Sequence, residues 1–257
     1  MLYAGIDAGS RAIKAVVLDA DTLEVVASAT HDQGIEQEAL AKDLFQRLLR
    51  DIGQSEEAVA RIVATGYGRN LVGFAHTTIT EITCHACGVR HLAPDAMTIL
   101  EVGGQDSKLI RLDANGTVRD FAMNDRCAAG TGRFLEVIAS RLEVKLEDLG
   151  AMAAKSQTPA AISSMCVVFA ETEIVGLLAS GVPPADIVAG VQASIAKRVT
   201  AMVGRSVEEP VLFTGGVALI PGMAAAMQTA LNRPVRVAPQ PQMTGALGAA
   251  VLASRQS

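Results

Sequence analysis

With 257 residues, half of them apolar and 19% charged, the chain is long enough for one large domain or two ordinary ones and too hydrophobic for a disordered tail. A net charge of −5, a pI near 5.4 and an aromatic content of 3% with no Trp argue against a protein whose main task is to hold nucleic acid. The segment Met1-Leu2-Tyr3-Ala4-Gly5-Ile6-Asp7 has no basic region followed by a long apolar one, and no uncharged apolar run could span a bilayer, so the expectation is a cytoplasmic protein away from membranes. In that reducing setting Cys84, Cys87, Cys127 and Cys166 are expected as thiols or metal ligands rather than disulfides.

Taken in chain order, an apolar strand at residues 3–6 runs into the turn Asp7-Ala8-Gly9-Ser10. A second strand follows at Ile13 to Leu18, then a polar turn and a third strand at Leu23 to Ala27. Residues 97–123 repeat this plan: strand Met97 to Val102, turn Gly103-Gly104-Gln105-Asp106-Ser107, strand Lys108 to Leu112, turn Asp113-Ala114-Asn115-Gly116, strand Thr117 to Met123. Period-2 alternation with Gly, Asn and Asp turns makes each block an antiparallel meander. Between the copies, Leu40, Leu44 and Leu48 mark an amphipathic helix over Glu36 to Ile52; Arg61 to Thr65 reads as a strand ending at Gly66-Tyr67-Gly68, and 80–92 as a helix.

After the second copy, Arg126 to Leu142 reads as a helix with Asn124 or Asp125 as N-cap, Ala161 to Phe169 as a strand, and Glu171 to Ser180 as a helix. Pro183-Pro184 opens a long helix to about Val203. The strand Val211 to Thr214 delivers Gly215-Gly216, and a helix near 221–231, a strand at Val235 to Val237 and a small-residue helix from Gly245 to Ala253 follow. The duplicated plan predicts an α/β protein of two similar lobes that share a hinge, since no low-complexity tether separates them.

Gly-rich strand turns expose consecutive backbone N–H groups, which hold phosphate without a basic side chain. Two such turns stand at equivalent places in the repeats, beside Asp7 and Asp106, and a third Gly pair ends a buried strand at Gly215-Gly216. Neither a Walker lysine motif nor a dinucleotide-binding glycine fingerprint is present. The paired turns point to a polyphosphate with Mg²⁺ near the acids. In the first turn of the expected helix, Cys127 would have its thiolate favoured by the helix dipole and Arg126, and Cys166 precedes another helix start. Cys84-His85-Ala86-Cys87 has zinc or redox spacing, but a structural zinc site wants a second ligand pair and His91 alone does not make one, so a helix at the lobe junction is the competing reading.

Gly5-Ile6-Asp7-Ala8-Gly9-Ser10, Glu101-Val102-Gly103-Gly104-Gln105-Asp106-Ser107-Lys108, Leu212-Phe213-Thr214-Gly215-Gly216-Val217-Ala218 and Gly245-Ala246-Leu247-Gly248-Ala249 resemble the first and second phosphate loops, the adenosine loop and the final inter-lobe helix of the actin, heat-shock-70 and sugar-kinase superfamily. Asn124-Asp125-Arg126-Cys127-Ala128-Ala129-Gly130-Thr131-Gly132-Arg133-Phe134-Leu135 and Ser163-Ser164-Met165-Cys166-Val167-Val168-Phe169-Ala170-Glu171 narrow the resemblance to the activator ATPases of 2-hydroxyacyl-CoA dehydratases and the benzoyl-CoA reductase ATPase subunits.

The resemblance implies two ribonuclease-H-like lobes of the actin-like ATPase fold with an ATP cleft between them, residues 1–93 with 245–257 forming one lobe and 94–244 the other. It implies a homodimer sharing one [4Fe–4S] cluster through Cys127 and Cys166 of each subunit, Asp7 (as the Mg²⁺ ligand), Gln105 and Asp106 in catalysis, and nucleotide contacts from Gly9, Ser10, Arg11, Ala12, Ile13, Lys14, Gly103, Gly104, Gln105, Gly215, Gly216, Val217, Ala218 and Gln242. The implied function is ATP-dependent one-electron transfer to an iron–sulfur dehydratase or reductase component, the electron arriving from a donor such as ferredoxin or flavodoxin. Arg11 replaces the family's usual threonine and Leu219-Ile220 a more polar pair. A small-molecule kinase of the same superfamily would share the loops but need an acceptor pocket with a carboxylate; a non-catalytic actin-like or chaperone-like module would leave Cys127 and Cys166 as buried apolar fillers.

Overall fold

A computed structural model describes residues 1–164, 166–204 and 207–256. The chain forms two compact units, one of Met1–Ala96, Leu112–Val118 and Gln242–Ser257, the other of Met97–Arg111 and Arg119–Pro241.

The first unit is built on β1 (Leu2–Ala8), β2 (Ala12–Asp19), β3 (Val25–Asp32), α1 (Gln37–Asp51), β4 (Val59–Thr65), β5 (Thr77–Thr78) and α2 (Glu81–Leu92). Its sheet runs β3-β2-β1-β4-β5, with β1–β2–β3 antiparallel and β1–β4–β5 parallel. The third strand begins two residues later than its apolar run predicts and extends to Asp32. The cause is the Asp19 carboxylate, which accepts the main-chain N–H groups of Asp21 and Thr22 and so lengthens the turn. Alternation divides the sheet faces: Ile6, Ile13 and Val17 pack with Leu44, Phe45 and Leu48 of α1 on one side. Val16 and Leu18 meet Leu247 and Val251 of the C-terminal helix on the other.

The second unit contributes β6 (Thr98–Val102), β7 (Ser107–Leu112), β8 (Val118–Asn124), α3 (Gly132–Arg141), α4 (Leu149–Ala153), α5 (Val167–Ala179), α6 (Pro184–Ala201), β9 (Val211–Thr214), α7 (Met223–Leu231) and β10 (Val235–Val237); α8 (Thr244–Ser254) returns to the first unit. Its sheet order, β10-β9-β6-β7-β8, repeats that of the first, with β6–β7 antiparallel and β6–β9–β10 parallel. Leu100, Val102, Leu109 and Phe213 of this sheet share a core with Phe134 and Ile138 of α3 and with Ile187, Val191 and Ile195 of α6.

Two sequence expectations fail here. Ala161 to Phe169 is not a strand: 161–164 is irregular and α5 begins at Val167, so the helix expected from Glu171 starts four residues earlier. The apolar run serves helical spacing instead, with Val167, Ala170 and Ile174 turned into the core. The helix expected from Arg126 begins only at Gly132, where the Thr131 hydroxyl accepts the Arg133 N–H; residues Ala128–Gly130 form one 3-10 turn before it.

The small residues of α8 are needed for backbone contact. A Cβ on Gly5 of β1 would lie 2.0 Å from the Ala246 carbonyl oxygen, and one on Gly248 would lie 1.7 Å from that of Cys84 in α2. Neither obstacle is a flexible side-chain tip, so Gly248→Ala is expected to destabilise the chain by about 3 kcal/mol, the upper end of ordinary overpacking. Thermal unfolding checks this; an unchanged midpoint would mean that α2 and α8 separate freely.

Candidate functional site

The two sheets carry the same four-residue arrangement at the same place. In the first, Asp7 is the penultimate residue of β1, stands opposite Lys14 of β2 and neighbours Thr65 of β4, which is followed by Gly66 at φ +88°. In the second, Glu101 of β6 stands opposite Lys108 of β7 and neighbours Thr214 of β9, followed by Gly215, also at φ +88°. The register therefore equates Asp7 with Glu101, while Asp106 falls in the turn itself. Both glycines are obligatory on two counts. Their φ is left-handed, and a Cβ would meet the acid, 2.4 Å from Asp7 Oδ1 at Gly66 and 2.7 Å from Glu101 Oε1 at Gly215.

Each acid is buried, at 5% exposure for Asp7 and 4% for Glu101, yet their cations differ. Lys14 Nζ is 3.4 Å from Asp7 Oδ2 and keeps 19% of its side chain exposed. Lys108, 2% exposed, lies 2.9 Å from Glu101 Oε2 and 2.6 Å from Asp106 Oδ2. A lysine so buried depends on its carboxylates, and losing one costs more than a surface pair would. Asp7 is bounded by glycine on other sides too: a Cβ at Gly245 would fall 2.9 Å from Oδ2, and one at Gly9 3.8 Å from Oδ1. A buried carboxylate with glycine around it suits Mg²⁺, which takes one or two carboxylates and leaves other positions to phosphate and water.

The first turn is held from below. Gly9 N–H donates to the Ala12 carbonyl at 3.1 Å, Gln33 Nε2 donates to the Gly9 carbonyl at 2.9 Å, and the Gly68 N–H to that of Ala8 at 2.8 Å. Ser10 is partly exposed at the tip; Arg11 is exposed and pairs with Asp32 at 3.4 Å, pointing its charge along the sheet edge. Ile13 is fully buried, so only its backbone could serve a ligand. In the second turn Gly103 N–H donates to the Asp106 carbonyl at 3.0 Å, Gly104 and Asp106 are partly exposed, and Gln105 is exposed. Beyond Gly215, Gly216 opens a 3-10 turn that buries Val217 and Ala218. A Cβ on Gly216 would meet nothing within 4 Å. Gln242 Oε1 is buried with no hydrogen-bond partner among the described residues, a condition that a ligand donor would relieve.

The four cysteines divide sharply. Burial pushes the Cys84 thiol up to about 12, and burial likewise raises Cys87. The helix reading of that segment holds, and its His85 is spent inside the first unit, with Nδ1 3.0 Å from Thr244 Oγ1. Cys127 and Cys166, by contrast, are exposed. Cys127 is not in the first turn of a helix; it precedes the 3-10 turn, gripped by Asn124, whose Oδ1 accepts the Cys127 N–H at 3.0 Å and whose Nδ2 donates to its carbonyl at 2.8 Å. Cys166 is the N-cap residue of α5. Upstream of it, the Ser163 and Ser164 N–H groups donate to Glu173 of α5 at 2.9 and 2.8 Å; burial works to raise that carboxyl, but these donors and the serine hydroxyls bring it down to about 2.

Among the described residues no group of three or more His, Cys, Asp or Glu could hold a metal. Two exposed thiols are half the ligand set of a cubane cluster, which fits a [4Fe–4S] group completed by a second copy and does not fit one held by a single chain. No helix among the described residues is long and apolar enough to cross a membrane.

The 2-hydroxyisocaproyl-CoA dehydratase activator of Clostridioides difficile is 42% identical over 254 residues, covering 98% of this chain and 95% of that protein. The (R)-2-hydroxyglutaryl-CoA dehydratase activating ATPase of Acidaminococcus fermentans is 42% identical over 255 residues, 98% of this chain and 97% of the relative. The solved structure of the Clostridium difficile activator with bound ADPNP superposes with a TM-score of 0.94 at 41% identity, covering 100% of this chain and 95% of that one. The actin-like ATPase architecture expected from the sequence is borne out. The model of the BadF/BadG/BcrA/BcrD ATPase family matches residues 4–253, and the chain belongs to that family.

Proposed function

We propose that the chain is an ATP-driven one-electron carrier that serves an iron–sulfur dehydratase or reductase; its relatives are named as a dehydratase activator, a dehydratase activating ATPase and a benzoyl-CoA reductase subunit. The observation that carries this reading is the division of the cysteines: Cys84 is buried and Cys87 half-buried, both thiols pushed up by burial, and the two exposed ones stand in the unit that also bears the second glycine turn. A [4Fe–4S] cluster held by Cys127 and Cys166 of each of two copies would supply a carrier for a single electron.

On this reading Asp7 positions Mg²⁺, the Gly9–Lys14 and Gly103–Asp106 turns hold phosphates through their N–H groups, and Gly215 to Ala218 with Gln242 seat the adenosine. Gln105, exposed within the second phosphate turn, orients the attacking water, and Lys108 fixes Glu101 and Asp106 in place. ATP would be the fuel, since depressing a one-electron potential by about 300 mV would cost about 7 kcal/mol, beyond ordinary fluctuation. Ferredoxin or flavodoxin fits as donor, and the net charge of −5 leaves nucleic acid aside.

The test is anaerobic reconstitution with iron and sulfide. Brown protein with about four irons per two chains, sedimenting as a dimer, is expected. Colourless, iron-free monomer that still hydrolyses ATP would favour a kinase or a chaperone-like module instead.

A further inference from the structure

The second glycine turn and both exposed thiol loops are joined within the second unit by contacts that the proposed chemistry does not require. The carbonyls of the turn are bonded to the start of α3: Gly132 N–H donates to the Gly103 carbonyl at 2.9 Å and Arg133 N–H to that of Gly104 at 2.8 Å. Directly before Gly132 lies the Cys127 loop, and Asn124, which grips Cys127, also has Nδ2 3.5 Å from Ser107 Oγ at the far end of the same turn. The Cys127 loop thus meets the turn at both of its ends.

A second contact leads onward to Cys166. Arg198 of α6 lies against the Cys127 loop, since a Cβ on Gly130 would be 3.5 Å from Arg198 Cβ. Its Nη2 donates to the Ser164 carbonyl at 2.8 Å, two residues before Cys166. The carboxylate of Glu173 holds the N–H side of Ser164, so the peptides on both sides of that residue are fixed. Arg198 Nε is buried and has no hydrogen-bond partner among the described residues. An arginine kept half-buried with one donor unpaired is a poor choice for stability alone.

We propose that Arg198 is a positioning residue that couples the Cys166 loop to the Cys127 loop, and through it to the phosphate turn at Gly103–Asp106. The inference rests on the reading that nucleotide phosphate occupies this turn. An anion drawing on the N–H groups of the turn shifts the Gly103 and Gly104 carbonyls, which carry the start of α3 and the 127–131 loop with them. Arg198 passes that movement to Ser164.

The coupling can be read without iron. In the iron-free full chain, N-ethylmaleimide labelling of each cysteine is followed by mass spectrometry with and without Mg²⁺ and a non-hydrolysable ATP analogue, whose binding is measured by calorimetry on the same sample. The analogue is expected to change the labelling rates of Cys127 and Cys166 at least threefold. Arg198→Met should keep the change at Cys127 and lose it at Cys166, and Arg198→Lys, which retains a donor, should restore it. Buried Cys84 serves as the sentinel: if it labels in Arg198→Met the fold has opened, and Arg198→Gln takes its place with the same outcomes. Both cysteines responding as in the wild type in the folded variant would overturn the proposal. So would analogue binding with no effect at Cys166, whereas absence of binding would overturn the nucleotide reading itself.

Discussion

Cys127→Ser or Cys166→Ser, reconstituted anaerobically, is expected to retain less than about a tenth of the wild-type iron and to sediment as a monomer, while Cys87→Ser keeps both iron and dimer. A cubane needs four thiolates, and each substitution removes two of them from a dimer, leaving a pair that cannot complete the site. The exposed positions of Cys127 and Cys166 predict little loss of chain stability, because neither side chain fills a core. Cys87 is half-buried and burial pushes its thiol up, which makes it a small apolar filler. Iron and sulfide analysis of the three variants decides; full iron in Cys127→Ser would remove that residue from the ligand set.

Asp7→Asn should lower kcat for Mg-ATP hydrolysis by about 100-fold or more, about 2.7 kcal/mol of transition-state stabilisation, because the charge proposed to position the metal would be lost. The fold should survive it: Lys14 is 3.4 Å away and partly exposed, so water can take over its solvation. Glu101→Gln is expected to lower kcat as well but to behave differently in thermal unfolding. Lys108 is 2% exposed and loses one of its two carboxylates, so the loss of stability should approach the about 3 kcal/mol seen for broken buried pairs. Steady-state hydrolysis and melting curves of the two variants separate the roles. Unchanged turnover in Asp7→Asn would make it a turn residue only.

The duplicated meander was legible in the sequence because period-2 alternation and Gly-Asp-Asn turns leave few alternatives over such short spans. Glu101 was not, because the repeats invite alignment on their glycines, which pairs Asp7 with Asp106. Counting back seven residues from Lys14 and from Lys108 gives Asp7 and Glu101, the pairing that the hairpin registers adopt. The change from Asp to Glu between copies hid the match.

The segment from Arg126 read as helix because Ala128 and Ala129 favour one, but Gly130 and Gly132 flank a threonine that caps the real start. Val167-Val168-Phe169 read as strand because β-branched and aromatic residues suit a sheet; in the structure only one side of that run is buried, and Val168 and Phe169 remain 68% and 69% exposed. Burial of Cys84 and Cys87 against α8 depends on glycines far along the chain, such as Gly248, and no local pattern carries it.

Energy transduction, unlike an ATPase and a cluster that merely share a chain, requires the two sites to sense each other. Linkage requires that a nucleotide favouring one state of the thiol loops alter the environment of whatever those thiols hold. The direct measurement is the rate at which an iron chelator strips the reduced, anaerobic dimer in the presence of Mg-ADP and of Mg²⁺ with a non-hydrolysable ATP analogue. The predicted result is faster chelation with the ATP analogue, by about tenfold, accompanied by a changed EPR signal of the reduced protein. Equal chelation rates and identical spectra with both nucleotides would contradict it.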